Sequence, residues 1–289
     1  MTSQSHSTAR FSNVVSPSLS RRNFPELLAT LAFASFACFG SPAGAQAVSL
    51  GTATQYGVLA GSAVTNTGPS IVNGFLGISP NNASSVTGFP PGQVIGQTHF
   101  ADAASLQAQN DLTTAYNDLA SRSCGTTISA DLGGQTLLPG VYCAATSMGL
   151  TGTLTLDAQG NPNALFIFQM GSTLTTASNS AVNVINSGQD CNVFWQVGSS
   201  ATLGTTTDFK GSIVALSSIT LNTGANVDGR VLARNGAVTL DGNGISVCSI
   251  GGGPQGGSTG IPTLSQWSML MLAGVLILFG VVGFRRYTM

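Results

Sequence analysis

The chain has 289 residues, 37 of them glycine, with only 7% charged residues and a formal net charge of −1. Between Val48 and Gly260 the basic residues are Arg122, Lys210, Arg230 and Arg234; they face nine aspartates, a net charge of −5, and the sole glutamate of the chain is Glu26. A body so poor in cations excludes a surface for nucleic acid or anionic lipid, while its wealth of Thr, Ser, Asn, Gly and β-branched residues fits a β-rich extracellular protein rather than a disordered one.

Residues 1–47 have the layout of an export signal. Arg21 and Arg22 precede an apolar run from Leu27 to Phe39, and small residues follow at Ala43-Gly44-Ala45-Gln46-Ala47. Ser20-Arg21-Arg22-Asn23-Phe24 also resembles a twin-arginine motif, which implies export after folding. Cleavage after Ala45 or Ala47 fits either route. Ser35-Phe36-Ala37-Cys38 is a poor lipoprotein site and is set aside.

Residues 48–250 form the folded body, with room for one core. Val48 to Gly77 alternates small and apolar residues, and its segment from Val64-Thr65-Asn66-Thr67-Gly68 to Gly74 echoes Ile219 to Gly229 far downstream, which marks it as a further coil. Ile78 to Thr98, rich in Pro, Asn, Ser and Gly, predicts an irregular cap. From His99 to Arg122 the pattern changes: Phe100, Ala103, Ala104, Leu112, Ala115, Tyr116 and Leu119 recur at helical spacing without Gly or Pro. The spacing predicts one helix over about 100–122 with Thr98 as N-cap and Asp102 in the first turn. The β pattern resumes after Ser129. Leu165–Phe168 and Val193–Val197 are almost continuously apolar, as expected of strands buried on both faces between a core and the helix.

Gly211 to Ile245 contains one pattern written twice. Ile213-Val214-Ala215 answers to Val231-Leu232-Ala233, and Ile219-Thr220-Leu221-Asn222 to Val238-Thr239-Leu240-Asp241, at offsets of 18 and 19 residues. Ala201-Thr202-Leu203 lies another 18 residues before Ile219-Thr220-Leu221. A period near 20, built of short β-branched runs between Gly, Asn and Ser turns, predicts a stacked β-solenoid whose units bury a core only together.

Residues 251–260 (GGGPQGGSTG) form a flexible linker. Ile261-Pro262-Thr263-Leu264 then opens an apolar run to Phe284, at the short limit for a membrane span, followed by Arg285-Arg286. Motif, apolar run and basic tail resemble the IPTL-type sorting signal of Gram-negative surface proteins. That resemblance implies processing machinery as a partner and a surface or extracellular body, with the tail in the inner membrane beforehand. A plain single-span anchor is the simpler alternative. With Cys38 gone, Cys124, Cys143, Cys191 and Cys248 remain, an even number that suggests disulfides in an exported chain. Of three possible pairings, Cys124 with Cys143 and Cys191 with Cys248 is favoured. No C-x-x-C occurs, so no zinc site is expected.

Taken together, the Thr-Asn-Thr-Gly coil, the Pro-rich cap, the single helix, Leu138-Pro139-Gly140-Val141-Tyr142, Gly152-Thr153-Leu154-Thr155-Leu156-Asp157 and Cys191-Asn192-Val193-Phe194-Trp195-Gln196-Val197-Gly198 closely resemble the microbial ice-binding proteins of the DUF3494 type. The match covers nearly all of residues 48–248. It implies a mainly β fold, a discontinuous right-handed β-helix of triangular section with one long α-helix alongside. It also implies adsorption to ice through a flat face, without catalysis; no cofactor is expected, and the protein is expected to be a monomer. Family ice sites are associated with Thr-Ala/Gly-x-Thr/Asn segments. Here these are Thr176 to Asn179 and Thr223 to Asn226, with Thr67 and Ser70 close to the pattern and Thr205 and Asn243 in departing coils beside Asp208 and Asp241.

Physical reasoning supports such a surface. Stacked strands repeat every ~4.8 Å and alternate residues every ~7 Å, both close to spacings in ice. Threonine adds a methyl that orders water and a hydroxyl that holds it, on a stiff side chain. Equally, Thr and Asn are ordinary strand and turn residues of any solenoid. An enzyme is not expected: His99 is the one histidine of the body, paired aspartates sit in turns, and no nucleotide-binding motif occurs. The alternative from another class is a surface adhesin or glycan-binding solenoid. It would need an aromatic-lined groove, whereas Phe166, Phe168, Phe194 and Trp195 lie in core-like runs.

Overall fold

The computed structural model describes residues 46–129 and 131–248. Most of the predicted export signal, the linker and the predicted span with its Ile261-Pro262-Thr263-Leu264 motif lie outside the described residues. Among the described residues no helix is long and apolar enough to cross a membrane.

The short apolar runs form three strands per turn of chain, and each strand pairs in parallel with its equivalents in the turns above and below. The result is a β-solenoid with three faces. The first face stacks, among others, Gly140–Ala144, Phe166–Met170, Val193–Val197, the second halves of Asp208–Ala215 and Asn226–Ala233, Tyr56–Ala60 and Phe75–Ile78. The second is a separate sheet of seven strands. The third runs from Thr136–Leu137 through Thr153–Asp157 and Ala181–Ile185 to Gly244–Ser246, Ile71–Asn73 and Gln93–Ile95. At the corner between third and first faces the chain bends through Gly211 and Gly229. A Cβ on Gly229 would stand 1.9 Å from the Gly211 carbonyl oxygen, so only glycine lets these coils stack.

The stack does not follow chain order. The N-terminal coil, Tyr56–Ala60, Val64–Thr67 and Ile71–Asn73, docks on the last one, pairing with Asn226–Ala233, Val238–Asp241 and Gly244–Ser246. Val64–Thr67 thus stacks in the same sheet as Ile219–Leu221, the segment it echoes, with Val238–Asp241 between them. The segment expected to be an irregular cap is more ordered than its composition suggests: Val86–Thr87 and Gln93–Ile95 pair with the N-terminal coil and continue two faces by one further layer.

Alternation along each strand sends one set of side chains inward. Tyr142, Phe168, Trp195 and Phe209 form an aromatic file, with ring centroids 5.4, 4.0 and 4.8 Å apart in succession. The Trp195 indole N–H donates to the Lys210 carbonyl at 3.0 Å, which satisfies the one polar group of this buried ring. The opposite side of the first face is apolar too: Leu59, Leu165, Ile167, Phe194, Val214 and Leu232 pack beneath Ala108, Leu112, Ala115 and Leu119 of the helix. Strands buried on both faces account for the continuous apolar runs.

The helix spans Ala103–Ser121, beginning later than its periodicity predicts. Thr98 is not its cap. Thr98–Phe100 instead extends the first face by pairing with Leu76–Ile78, which places His99 on a strand. Asp102 caps the helix by accepting from the Ser105 N–H at 2.8 Å, and the Ser105 hydroxyl accepts from the Asp102 N–H at 3.1 Å in a reciprocal box. The Ser105 N–H, helped by His99, holds the Asp102 carboxyl at about 2. The disulfides are Cys124–Cys143 and Cys191–Cys248, the favoured pairing.

Candidate functional site

The second face is made of very short strands: Met148–Leu150, Leu174–Thr176, Ala201–Leu203, Ile219–Leu221, Val238–Asp241, Val64–Thr67 and Val86–Thr87. In each but the two-residue Val86–Thr87, two inward residues anchor it, for example the buried Ile219 and Leu221. The residue between them points out. In register across the sheet these outward residues are Gly149, Thr175, Thr202, Thr220, Thr239, Thr65 and Thr87. Six consecutive layers thus present threonine in one file, at the ~4.8 Å spacing of hydrogen-bonded strands. Their β-branched side chains are held by the strand backbone, and the Thr65 hydroxyl donates to that of Thr239 at 3.3 Å.

Immediately before six of these strands runs a parallel file of Ser147, Thr173, Ser200, Ser218, Ala237 and Ala63, aligned by backbone bonds from each following strand to the next layer. All are small, and the Ser147 and Thr173 hydroxyls lie 2.8 Å apart. A third file edges the face at its corner with the third face: Ser178, Thr205, Thr223, Asp241 and Thr67, fixed by the Asn179, Thr206, Gly224 and Gly242 N–H bonds to successive carbonyls. The residues that turn this corner, Asn179, Thr206, Gly224, Gly242 and Gly68, all have positive φ between 55 and 76°. The first two files hold no charged side chain. Asp241 is the single one in the third, and it accepts from the Thr223 hydroxyl.

A family model described as ice-binding-like matches residues 58–246, almost the whole solenoid. The chain belongs to the ice-binding-like family. A second model, the IPTL-CTERM motif, matches residues 259–286. An ice-binding protein of Nostoc sp. (strain HG1) is 55% identical over 228 residues, 78% of this chain and 82% of that protein. Among solved structures, an ice-binding protein from an Antarctic biological consortium is 47% identical with a TM-score of 0.69, over 71% of this chain and 93% of that one. One from the Antarctic ascomycete Antarctomyces psychrotrophicus is 39% identical with a TM-score of 0.68, over 70% and 98%.

The residues proposed from sequence motifs divide among different places in this ice-binding-like solenoid. Thr67, Thr205 and Thr223 are exposed in the third file, and Asn179 is exposed at the corner, accepting from the Thr206 hydroxyl at 2.5 Å. Three others are corrected: Ser70, Thr176 and Asn243 are buried and have no outer surface to offer. Thr176 stands in the inward file with Leu150 and satisfies itself on the Thr207 hydroxyl and the Gly204 N–H, each at 2.8 Å. Asn243 pins the corner from inside, donating to the Asn222 and Ala225 carbonyls at 2.9 and 2.8 Å, and its own N–H donates to the Ser70 hydroxyl at 2.9 Å. Asn226 is exposed but belongs to the third face, where its side-chain Oδ1 accepts from the Gly244 N–H at 2.8 Å.

The cause is a phase difference. Asn179 stacks on Gly224, so Thr176–Asn179 and Thr223–Asn226, alike in sequence, sit two residues out of step in the stack. None of Thr65, Thr87, Thr175, Thr202, Thr220 and Thr239 opens or closes a Thr-Ala/Gly-x-Thr/Asn segment. The signal for three of them is the recurring triplet of apolar residue, threonine, apolar residue, as in Ala201-Thr202-Leu203, Ile219-Thr220-Leu221 and Val238-Thr239-Leu240.

Charge collects on the third face instead. Lys210 lies 3.0 Å from the Asp208 carboxylate and also bonds Asp228. Burial works against its ammonium, but the Asp228 and Asp208 carboxylates outweigh it and hold the lysine above its ordinary value. Burial pushes nearby Asp190 up. No group of metal-ligating side chains occurs among the described residues. Phe166, Phe168 and Trp195 are fully buried and Phe194 lies under the helix, so these aromatics line no glycan groove.

Proposed function

We propose that this protein adsorbs to ice through its seven-stranded second face. The observation that carries the reading is the in-register file of Thr175, Thr202, Thr220, Thr239, Thr65 and Thr87, flanked by a file of small residues and backed by a closed apolar core. The threonine methyls order water into cages over the sheet, and the hydroxyls hold that water by hydrogen bonds at a repeat close to the lattice spacing. Little rotamer freedom is lost on contact, because the β-branched side chains are already fixed. Protein bound at many points curves the ice front between them and slows growth and recrystallisation. The third file, with Thr67, Thr205 and Thr223, widens the contact.

The IPTL-CTERM match supports export with a processed tail, in a Gram-negative cell whose inner membrane holds the tail beforehand, and a body facing outward as a monomer. Retained at the surface, the same face would hold a cell against ice. The test compares the parent with Thr220→Tyr on the second face and Asn183→Tyr, exposed on the third, each checked for folding by circular dichroism. Crystal shaping and blocked recrystallisation are expected for the parent and Asn183→Tyr and absent for Thr220→Tyr. Equal activity of the two variants removes the second face from the mechanism, and an inactive folded parent removes ice.

A further inference from the structure

Arg230 is 6% exposed and begins the first-face half of its strand, in register with Ser212. Its Nε donates to the Thr54 carbonyl at 2.8 Å, and its Nη1 reaches the Ser212 hydroxyl at 3.3 Å and Cys248 Sγ at 3.2 Å. Each of these partners is neutral. Among the described residues no carboxylate pairs with it, and burial alone draws its pKa down to about 10. Buried cations ordinarily have an anion beside them. Among the described residues none stands there.

Nη2 has no acceptor among the described residues. Arg230 lines a cavity of about 270 Å3, with Leu50, Leu165 and Phe194 as apolar walls and Asn163 and Asn192 beside them. Asn163 is exposed, and its side-chain amide donates to nothing among the described residues. A single cation over apolar walls selects the ligand class. A phosphate would bring a second negative charge with no second cation in the lining, and a halide would leave the apolar walls wet. The volume, near the lower end of small-molecule sites at roughly 300 Å3, limits the ligand to a few heavy atoms.

We propose that this cavity is a binding site for a short aliphatic monocarboxylate, its carboxylate on the Arg230 guanidinium and its chain against Leu165 and Phe194. The site is separate from the second face and independent of ice adsorption. Calorimetric titration of the exported protein with sodium butyrate, at ionic strength held by sodium chloride, tests it, with n-butanol as the uncharged control. Saturable binding of butyrate but not butanol is expected, weakened about tenfold or more, the scale of one charge-assisted contact, in Arg230→Gln. Because Arg230→Gln risks misfolding, Asn163→Trp, an exposed change that fills the mouth, is the second variant and should abolish binding with the melting temperature kept. No saturable binding of butyrate, equal binding of butanol, or unchanged affinity in folded Asn163→Trp would overturn the proposal. Competition by chloride at equal concentration would overturn the carboxylate class.

Discussion

The second and third faces are built from the same coils, at the same strand spacing and over the same core, yet only one offers an uncharged array. On the second face the central outward position is threonine in six layers. On the third, equivalent positions carry Asp157, Asp208, Lys210 and Asp228, with Ile71 and Ile95 exposed at one end. Periodicity comes with any parallel solenoid. What separates the faces is side-chain hydration: carboxylates and ammonium groups hold water in their own geometry, while threonine leaves it free to take the geometry of the lattice. The third face is thus an internal control for the second.

The comparison can be broken most severely by putting a charge into the threonine file. Thr202→Lys should raise the protein concentration needed to stop recrystallisation by roughly tenfold or more, equivalent to losing about 1.4 kcal/mol of adsorption. Stability should change within about 0.5 kcal/mol, as for other surface substitutions; ice recrystallisation assays beside thermal melts check both. The reverse experiment removes the one charge from the third file. Asp241→Thr frees the Thr223 hydroxyl, and activity should rise by a factor of roughly two, the scale of an exposed polar contact; a fall would show that water on the carboxylate belongs to the ice contact. On the third face, Lys210→Gln should cost under about 1 kcal/mol in urea unfolding and leave crystal shaping as it was.

Proton concentration supplies the smallest expected effect. The Asn186 amide and the Gln159 N–H hold the exposed Asp157 below the usual carboxylate range, and Asp102 lies at about 2. Depressed carboxylates contribute stability that is complete above their unfolded pKa of about 3.8 and is lost as pH falls through the folded value. Melting temperature should therefore decline below about pH 4, while ice adsorption stays flat above it, because the first two files of the second face have nothing to titrate. An adsorption midpoint near neutrality would assign part of the contact to another surface.

Much of this architecture is legible in the chain. The 18- and 19-residue offsets mark the stacked coils, the doubly apolar runs at Leu165–Phe168 and Val193–Val197 mark the face beneath the helix, and the Thr-Asn-Thr-Gly echo marks the N-terminal segment as a coil, though not its docking on the last one. The helix start was misjudged because Thr98–Phe100 satisfies a strand edge, an interaction no local periodicity records. The site was harder to find for a related reason. A face of a solenoid is defined across coils, and coil lengths vary: Thr175 to Thr202 is 27 residues, Thr202 to Thr220 is 18 and Thr220 to Thr239 is 19. A motif followed along the chain drifts out of phase with such a stack, which is how buried Thr176 came to be matched with exposed Thr223.

The docking of the N-terminal coil between the C-terminal coil and the capping layer governs the order of events at birth. Thr65 leaves the ribosome first and must wait for Thr239, 174 residues later, before its strand has a neighbour on that side. A repeat array with sequential coils could zip up from its first turn as it emerges. This one cannot, and the high contact order makes the final closure slow. Until then the strand edges of both terminal coils are open to foreign chains. A deletion at either end would expose the same seam, so the two ends of the domain, far apart in synthesis, succeed or fail as one unit.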